Sequence, residues 1–218
     1  MIATPAAVAA RVLGIVAALM WFPLAAPATE TIKILGQASP SLSSSTVTIT
    51  NASPGVVTCT GCNAAVGDMV VLTTSGALPT GLTAGTTYFV ISAGLTADAF
   101  QLSATAGGAA INTSSAGSGT HTAKIYRVLY TVPGSTSAVV STITAANDST
   151  ITNDAAIISI HPACAAWARK YQIAPKVTVP FNDTIILTFG ITLAATDCIT
   201  VYSDLGTTVF SAFGSEVQ

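Results

Sequence analysis

Four cysteines, two histidines and nine acidic side chains are the groups with which this 218-residue chain could do chemistry. Their spacing narrows the options. Cys59-Thr60-Gly61-Cys62 has the spacing of half a zinc ribbon, but a structural zinc site takes four ligands and no second Cys-x-x-Cys follows. Cys59 and Cys62 therefore read as a local disulfide or as two reduced turn cysteines. Cys164 and Cys198 fall in separate β-segments, where a bridge depends on their separation in space. His121, within Thr120-His121-Thr122, and His161, just before Pro162, read as structural histidines, and no Gly-x-Ser-x-Gly elbow accompanies them. Asp68, Asp183 and Asp197 each precede an apolar run, the position from which Asp bonds the backbone of a turn. No two carboxylates are placed as a glycoside-hydrolysing pair. Gly107-Gly108 and Gly117-Ser118-Gly119 lack the Lys and the following helix of a phosphate loop. Arg169, Lys170 and Tyr171 form a cluster of positive charge with an aromatic neighbour. That cluster reads as a solvated strand end or as a contact for a carbohydrate, a phosphate or an acidic subunit. The expectation is a protein that is not an enzyme, with no catalytic residue, no cofactor and no metal.

The elements that would carry these residues are short strands. Residues 34–123 include only two charged side chains, Asp68 and Asp98, and are built mostly of Thr, Ser, Ala, Gly, Val and Leu. Strands are expected at residues 32–37, which should join the carboxy-terminal sandwich, and at 47–50, 56–58, 69–72, 88–92 and 99–103, separated by Ser53-Pro54-Gly55, Leu78-Pro79-Thr80-Gly81 and the glycine pairs. After residue 125 come expected strands at 127–132, 138–145, 155–161, 173–179, 184–187, 198–202 and 209–213. Only residues 163–168 hint at a turn or two of helix. Charged residues are 7% of the whole chain, against about a quarter in an average protein. Half of the chain is apolar and the formal net charge is −2, which argues against charge-driven disorder and against attraction to nucleic acid. A surface so poor in charge is expected to be covered by partners or by copies of itself.

The amino terminus is different in kind. Arg11 precedes an apolar run containing Val12, Leu13, Ile15, Val16, Leu19, Trp21 and Phe22, interrupted by Pro23 and Pro27. Ala26-Pro27-Ala28 resembles a signal-peptidase site, and the run is short for a membrane span. A cleaved signal, an apolar helix buried in an assembly and a membrane anchor are the three readings. Burial between subunits as a helix ended by Pro23 is the one adopted, with membrane contact not favoured.

Three further segments carry a resemblance. Ile34-Leu35-Gly36-Gln37-Ala38-Ser39-Pro40, then Leu129-Tyr130-Thr131-Val132-Pro133 with Ser137-Ala138-Val139-Val140-Ser141-Thr142-Ile143, and last Phe210-Ser211-Ala212-Phe213-Gly214-Ser215-Glu216 resemble a family of small tailed-bacteriophage virion proteins. In that family the first two motifs lie close in sequence, whereas here residues 46–124 stand between them, which reads as an insertion. The inserted block, through Val66-Gly67-Asp68-Met69-Val70-Val71-Leu72, Leu78-Pro79-Thr80-Gly81-Leu82, Thr87-Tyr88-Phe89-Val90 and Ala99-Phe100-Gln101-Leu102-Ser103, is similar to a small β-module found in phage tail, fibre and other virion proteins.

Together these readings predict an all-β chain: an antiparallel β-sandwich (31–45 plus 125–218) with an inserted small β-barrel or sandwich module (46–124) and an apolar amino-terminal segment (1–30). The resemblance implies a structural role in the virion, in tail, baseplate, fibre or capsid decoration. Its partners would be other virion proteins and copies of itself, with host-surface glycan as a further contact and no nucleic acid. The alternative is a secreted bacterial surface or adhesin-like domain that binds a glycan; a third reading is an exported polysaccharide hydrolase.

Overall fold

The computed structural model describes residues 31–40 and 44–217. Its first half contains β1 (Thr31–Ala38), β2 (Ser44–Ile49), β3 (Val57–Thr58), β4 (Met69–Thr74), β5 (Thr87–Val90), β6 (Ala99–Phe100) and β7 (Leu102–Ser103). Its second half contains β8 (His121–Thr131), β9 (Ser137–Asn147), β10 (Asp154–His161), β11 (Gln172–Val179), β12 (Asp183–Leu193), β13 (Cys198–Ser203) and β14 (Thr208–Val217). All pairings are antiparallel, and the described residues include no α-helix. The described residues are thus all-β with a sandwich-like arrangement of sheets. Val12 to Phe22, and with them the expected amino-terminal helix, lie outside the described residues.

Strand composition explains the layers. Along β12 the burial alternates, with Ile185, Leu187, Phe189, Ile191 and Leu193 turned toward the core and the residues between them outward, the period-two pattern of a half-buried sheet. β1, β14, β9 and β12 form one sheet in that order. Opposite it lie β11, β10, β13 and the second half of β8. Phe210, Ile143, Ile158, Leu193 and Ile199 fill the space between, each fully buried.

Residues of the inserted block pair around a second core of Val57, Val70, Leu72, Val90, Phe100 and Leu102. The pairing order there returns on itself. β3 pairs β2, β2 pairs β8, β8 pairs β4, β4 pairs β5, and β5 pairs β7. β6, joined to β7 through Gln101 alone, pairs β3. A ring of this kind leaves few open strand edges, which suits a segment with almost no charge to protect an edge.

Two expected features differ from the structure. The transitions at 45/46 and 124/125 fall inside β2 and β8, because hydrogen-bonded pairing continues across the change of composition. Residues 163–168 and the Arg169, Lys170, Tyr171 cluster were expected as a helical turn or two and a strand end. Instead Pro162–Cys164 and Arg169–Tyr171 are separate 3-10 turns, the first opened by Pro162.

The strand expected at residues 32–37 lies within β1 and pairs with β14 along its length. The three motifs of the resemblance meet here. A Cβ on Gly36 would lie 1.9 Å from the carbonyl oxygen of Leu129, and one on Gly214 would lie 2.0 Å from that of Val139. Backbone passes too close for any side chain at both places, and both glycines adjoin irregularities in the strand register. Lys33 Nζ reaches Glu216 Oε2 at 2.6 Å, and the Tyr130 hydroxyl donates to Glu216 Oε1 at 2.8 Å. These two partners, Lys33 foremost, hold the Glu216 carboxyl below its usual range. Burial first, and then the bond to Glu216, pushes the Tyr130 phenol up.

Gly36→Ala and Gly214→Ala are each expected to reduce unfolding free energy by about 2 kcal/mol or more, since the clash is with backbone and not a movable side-chain end. A Cβ on Gly134 meets nothing within 4 Å, and Gly134→Ala is expected to change stability by about 0.5 kcal/mol or less. Denaturant midpoints at constant m-value measure all three; indistinguishable midpoints would refute the close-approach account.

Candidate functional site

The two cores are joined by one strand. The first half of β8 lies between β2 and β4, and the second half pairs β13, from Arg127↔Val201 to Thr131↔Cys198. At the change of partner sits Asp68, fully buried, whose carboxylate accepts the N–H of Ala65 at 2.8 Å and of Val128 at 3.2 Å. Arg127 Nε lies 2.8 Å from Asp68 Oδ2, in ionic contact but off the hydrogen-bond line, and its Nη2 donates to the Asn63 carbonyl. Removal from water raises the Asp68 carboxyl to about 6, with the Arg127 charge and the two N–H donors pulling the other way.

Beside this pair a third apolar cluster bridges the halves. Met69, Val71 and Phe89 from the inserted block pack with Tyr126, Ile157, Cys198 and Tyr202. Trp167, on the connection between β10 and β11, stacks on Tyr126 with ring centroids 4.7 Å apart, and Tyr202 approaches the same ring at 5.2 Å. The Thr87 hydroxyl donates to the Trp167 carbonyl at 3.4 Å. Over this cluster opens a cleft of about 590 Å³ lined by Lys124, Tyr126, Ile157, Trp167, Arg169 and Gln172, with Pro175 and Lys176 at its margin. Lys176 pairs with Asp204 at 3.2 Å. Lys170 lies over the Tyr171 ring, 5.0 Å from its centroid.

A second surface stands apart from the cleft: the outward face of the four-stranded sheet. Register places Ile34, Phe213, Thr142 and Thr188 in one row across it, Gln37, Ser211, Thr144 and Ile186 in the next, and Val209, Ala146 and Thr184 in a third. No charged side chain stands in these rows. Ile32, which continues the first strand of the face, is 85% exposed and Ile186 67%.

Other reactive groups are spent on structure. The structure joins Cys59 to Cys62 with Cα atoms 5.5 Å apart, and Cys164 to Cys198 at 5.0 Å. Asp98 Oδ1 accepts Gly61 N at 2.6 Å inside the first loop. Asp197 receives Ala163 N and Ala194 N, at 2.8 and 2.9 Å, and Asp183 receives Thr184 N at 2.7 Å. His121 bonds Thr74, and His161, fully buried, bonds Thr200 at 3.0 Å. Burial holds the His161 imidazole below its ordinary value. Asp154 is a buried acid that motif reasoning passed over. It accepts the Ser203 and Thr208 hydroxyls and Leu205 N. Burial alone would raise its pKa, but these bonds hold it below the usual range. Arg169 is brought to the cleft, while Lys170 and Tyr171 are not among its lining residues, and Tyr171 packs against His161. Lys124, Trp167 and Lys176 were not among the expected contacts, since 43 and 52 residues separate Lys124 from the others. Among the described residues no cluster of three His, Cys, Asp or Glu could hold a metal ion.

No protein-family model, curated protein or solved structure matches the chain.

The Asp68 shift has a defined sign. Between about pH 4 and 6 the folded chain keeps a proton on Asp68 that the unfolded chain has released, so this group favours folding at low pH and the benefit fades as pH rises through about 6. His161 acts in the opposite sense, because its proton binds more tightly in the unfolded chain. The unfolding free energy of the native chain minus that of Asp68→Asn isolates the first effect. This difference is expected to grow by roughly 1–2 kcal/mol from pH 7.5 to pH 5; urea titrations at the two pH values measure it, and a constant difference would exclude a raised pKa at Asp68.

Proposed function

We propose that this chain is a non-enzymatic structural protein of a tailed bacteriophage particle, an accessory of tail, baseplate or fibre or a decoration of the capsid. It acts by symmetric assembly and by contact with a host surface. The observation that carries the reading is the uncharged outward face of the four-stranded sheet. Rows of Thr, Ser and Ala with Ile34, Ile186, Val209 and Phe213 let identical copies, or neighbouring virion proteins, meet without like-charge repulsion. Small contacts of this kind gain strength when repeated around a symmetric particle.

Two further observations support it. The motifs that resemble the virion family converge on one corner, where Gly36 lies against Leu129 and Glu216 holds Lys33 and Tyr130. The inserted block, residues 46–124, has a core of its own, as expected of an exchangeable module set into a sandwich. In this reading the apolar segment with Val12, Leu13, Ile15, Val16, Leu19, Trp21 and Phe22 is an assembly segment buried between subunits, and neither nucleic acid nor cofactor takes part.

The disulfides Cys59–Cys62 and Cys164–Cys198 favour an oxidising environment. That suits a virion surface, and equally a secreted bacterial surface protein that binds a glycan, which is the second reading. Intact mass of the chain from its native source separates the two: loss of residues 1–28 supports secretion, and retention supports the virion.

In sedimentation analysis the full chain is expected to self-associate, and Ile34→Lys with Ile186→Lys to abolish association at an unchanged unfolding midpoint, both sites being exposed. Undiminished association of the double variant would remove the sheet face from the proposal. Deleting residues 1–28 is expected to leave a folded, soluble protein that no longer joins the particle, and normal incorporation would move the attachment to the β-modules.

A further inference from the structure

Positive charge is scarce here, and its distribution is uneven. Of the six described Lys and Arg side chains, Lys33 pairs with Glu216, Arg127 with Asp68 and Lys176 with Asp204. The three without a carboxylate partner are Lys124, Arg169 and Lys170. Two of them line the cleft at the strand crossing, and the third is adjacent in sequence. The two that line it come from different parts of the chain: Lys124 from the first half of β8, Arg169 from the turn before β11. Asp204, tied to Lys176, is an acidic group whose charge also reaches Tyr126 of the lining.

The wall between these cations is aromatic and aliphatic. Tyr126, Trp167 and Ile157 line it, with Gln172 supplying an amide. Trp167 is braced by its stack on Tyr126 and by the bond from Thr87 to its carbonyl, so the platform is set before any ligand arrives. The volume, about 590 Å³, is that of a small-molecule site and far exceeds a bare phosphate. Two other openings differ: a gap of about 10 Å³ within the barrel core and a groove along β2 are lined without Lys, Arg, Asp or Glu.

We propose that this cleft binds an acidic saccharide, its carboxylate held by Arg169 and Lys124 and the apolar face of a pyranose ring packed on Trp167, which the buried Tyr126 backs. A guanidinium matches a carboxylate in a two-pronged geometry, and the more mobile ammonium adds a second charge. Gln172 is the natural partner for ring hydroxyls. A neutral sugar would leave two cations facing it without counter-charge. A nucleic-acid strand needs a run of cations along its backbone and successive exposed aromatic faces, whereas Tyr126 and Tyr202 are buried and Trp167 spends one face on Tyr126. The inference gives a ligand class to the host contact proposed above and rests on that reading for its biological setting.

The test uses the full chain in solution, so its failure leaves the assembly reading intact. Titration calorimetry is run with 3′-sialyllactose and trigalacturonate as acidic probes, lactose and maltotriose as neutral counterparts, and hexaglutamate and octathymidylate as competitors of other classes. Trp167 is one of two tryptophans, so indole fluorescence follows the same titrations. At least one acidic saccharide is expected to bind about tenfold or more tighter than its neutral counterpart, to weaken with salt, and to shift the fluorescence. Lys124→Gln with Arg169→Gln, both at exposed positions, is expected to lower that affinity by about tenfold or more at an unchanged unfolding midpoint. The inference is overturned if neither acidic saccharide binds, if neutral sugars bind equally, if hexaglutamate or octathymidylate binds more tightly, or if the double variant retains full affinity.

Discussion

Everything in this structure depends on β8 serving two sheets at once. Its first half completes the ring around one core and its second half joins the sandwich around the other, so each half of the molecule supplies hydrogen-bonding partners to the same strand. The place where partners change is where backbone groups would otherwise face the interior unpaired. Asp68 occupies it, receiving the Val128 N–H and the Arg127 charge across the junction. A carboxylate is the right group there, since it can accept from several donors at once. Isolation from water is the expense, seen in its raised pKa. The aromatic cluster of Tyr126, Trp167 and Tyr202 then seals the same junction from the other side.

Scarcity of charge explains how the remaining polar groups are used. Asp154 binds β10 to the turn after β13 through Ser203, Leu205 and Thr208, and Glu216 binds β14 to β1 and β8 through Lys33 and Tyr130. Most described acids are therefore tied to backbone N–H groups, hydroxyls or a single cation. Thr and Ser cover the exposed strand faces in place of Lys and Glu. They suit strands and carry no repulsion toward a copy of themselves, and the outward sheet face is the result.

Much of this was legible in sequence where the signal was local. Runs such as Met69-Val70-Val71-Leu72 and Cys198-Ile199-Thr200-Val201-Tyr202, bounded by turn residues, form strands as their composition requires. The pairing of residues 32–37 with the carboxy-terminal half was legible too, through motifs and not propensity. Continuity of β8 was not: Lys124 ends a long uncharged block and reads as a boundary, yet backbone pairing is indifferent to side-chain charge. Asp154 resembled any turn aspartate because its bonding partners lie 49 to 54 residues downstream. The cleft was visible only through Arg169, for Lys124 and Trp167 become neighbours only when the two halves dock.

That last point bears on how a binding surface arises in such a protein. Residues 46–123 bring a core ringed by paired strands and almost no charge, and the sandwich offers the Arg169 turn on the connection between β10 and β11. This cleft belongs to neither half alone: Lys124 stands on the strand the halves share, and Trp167 is braced by Tyr126 of that strand and bonded through its carbonyl by Thr87. The junction that solves the hydrogen-bonding problem of β8 thus also creates a concave wall whose lining includes the unpaired cations Lys124 and Arg169. Joining the modules by a continuous strand rather than a flexible linker is what fixes the spacing of those cations, and a rigid spacing is what recognition of a small anionic ligand requires.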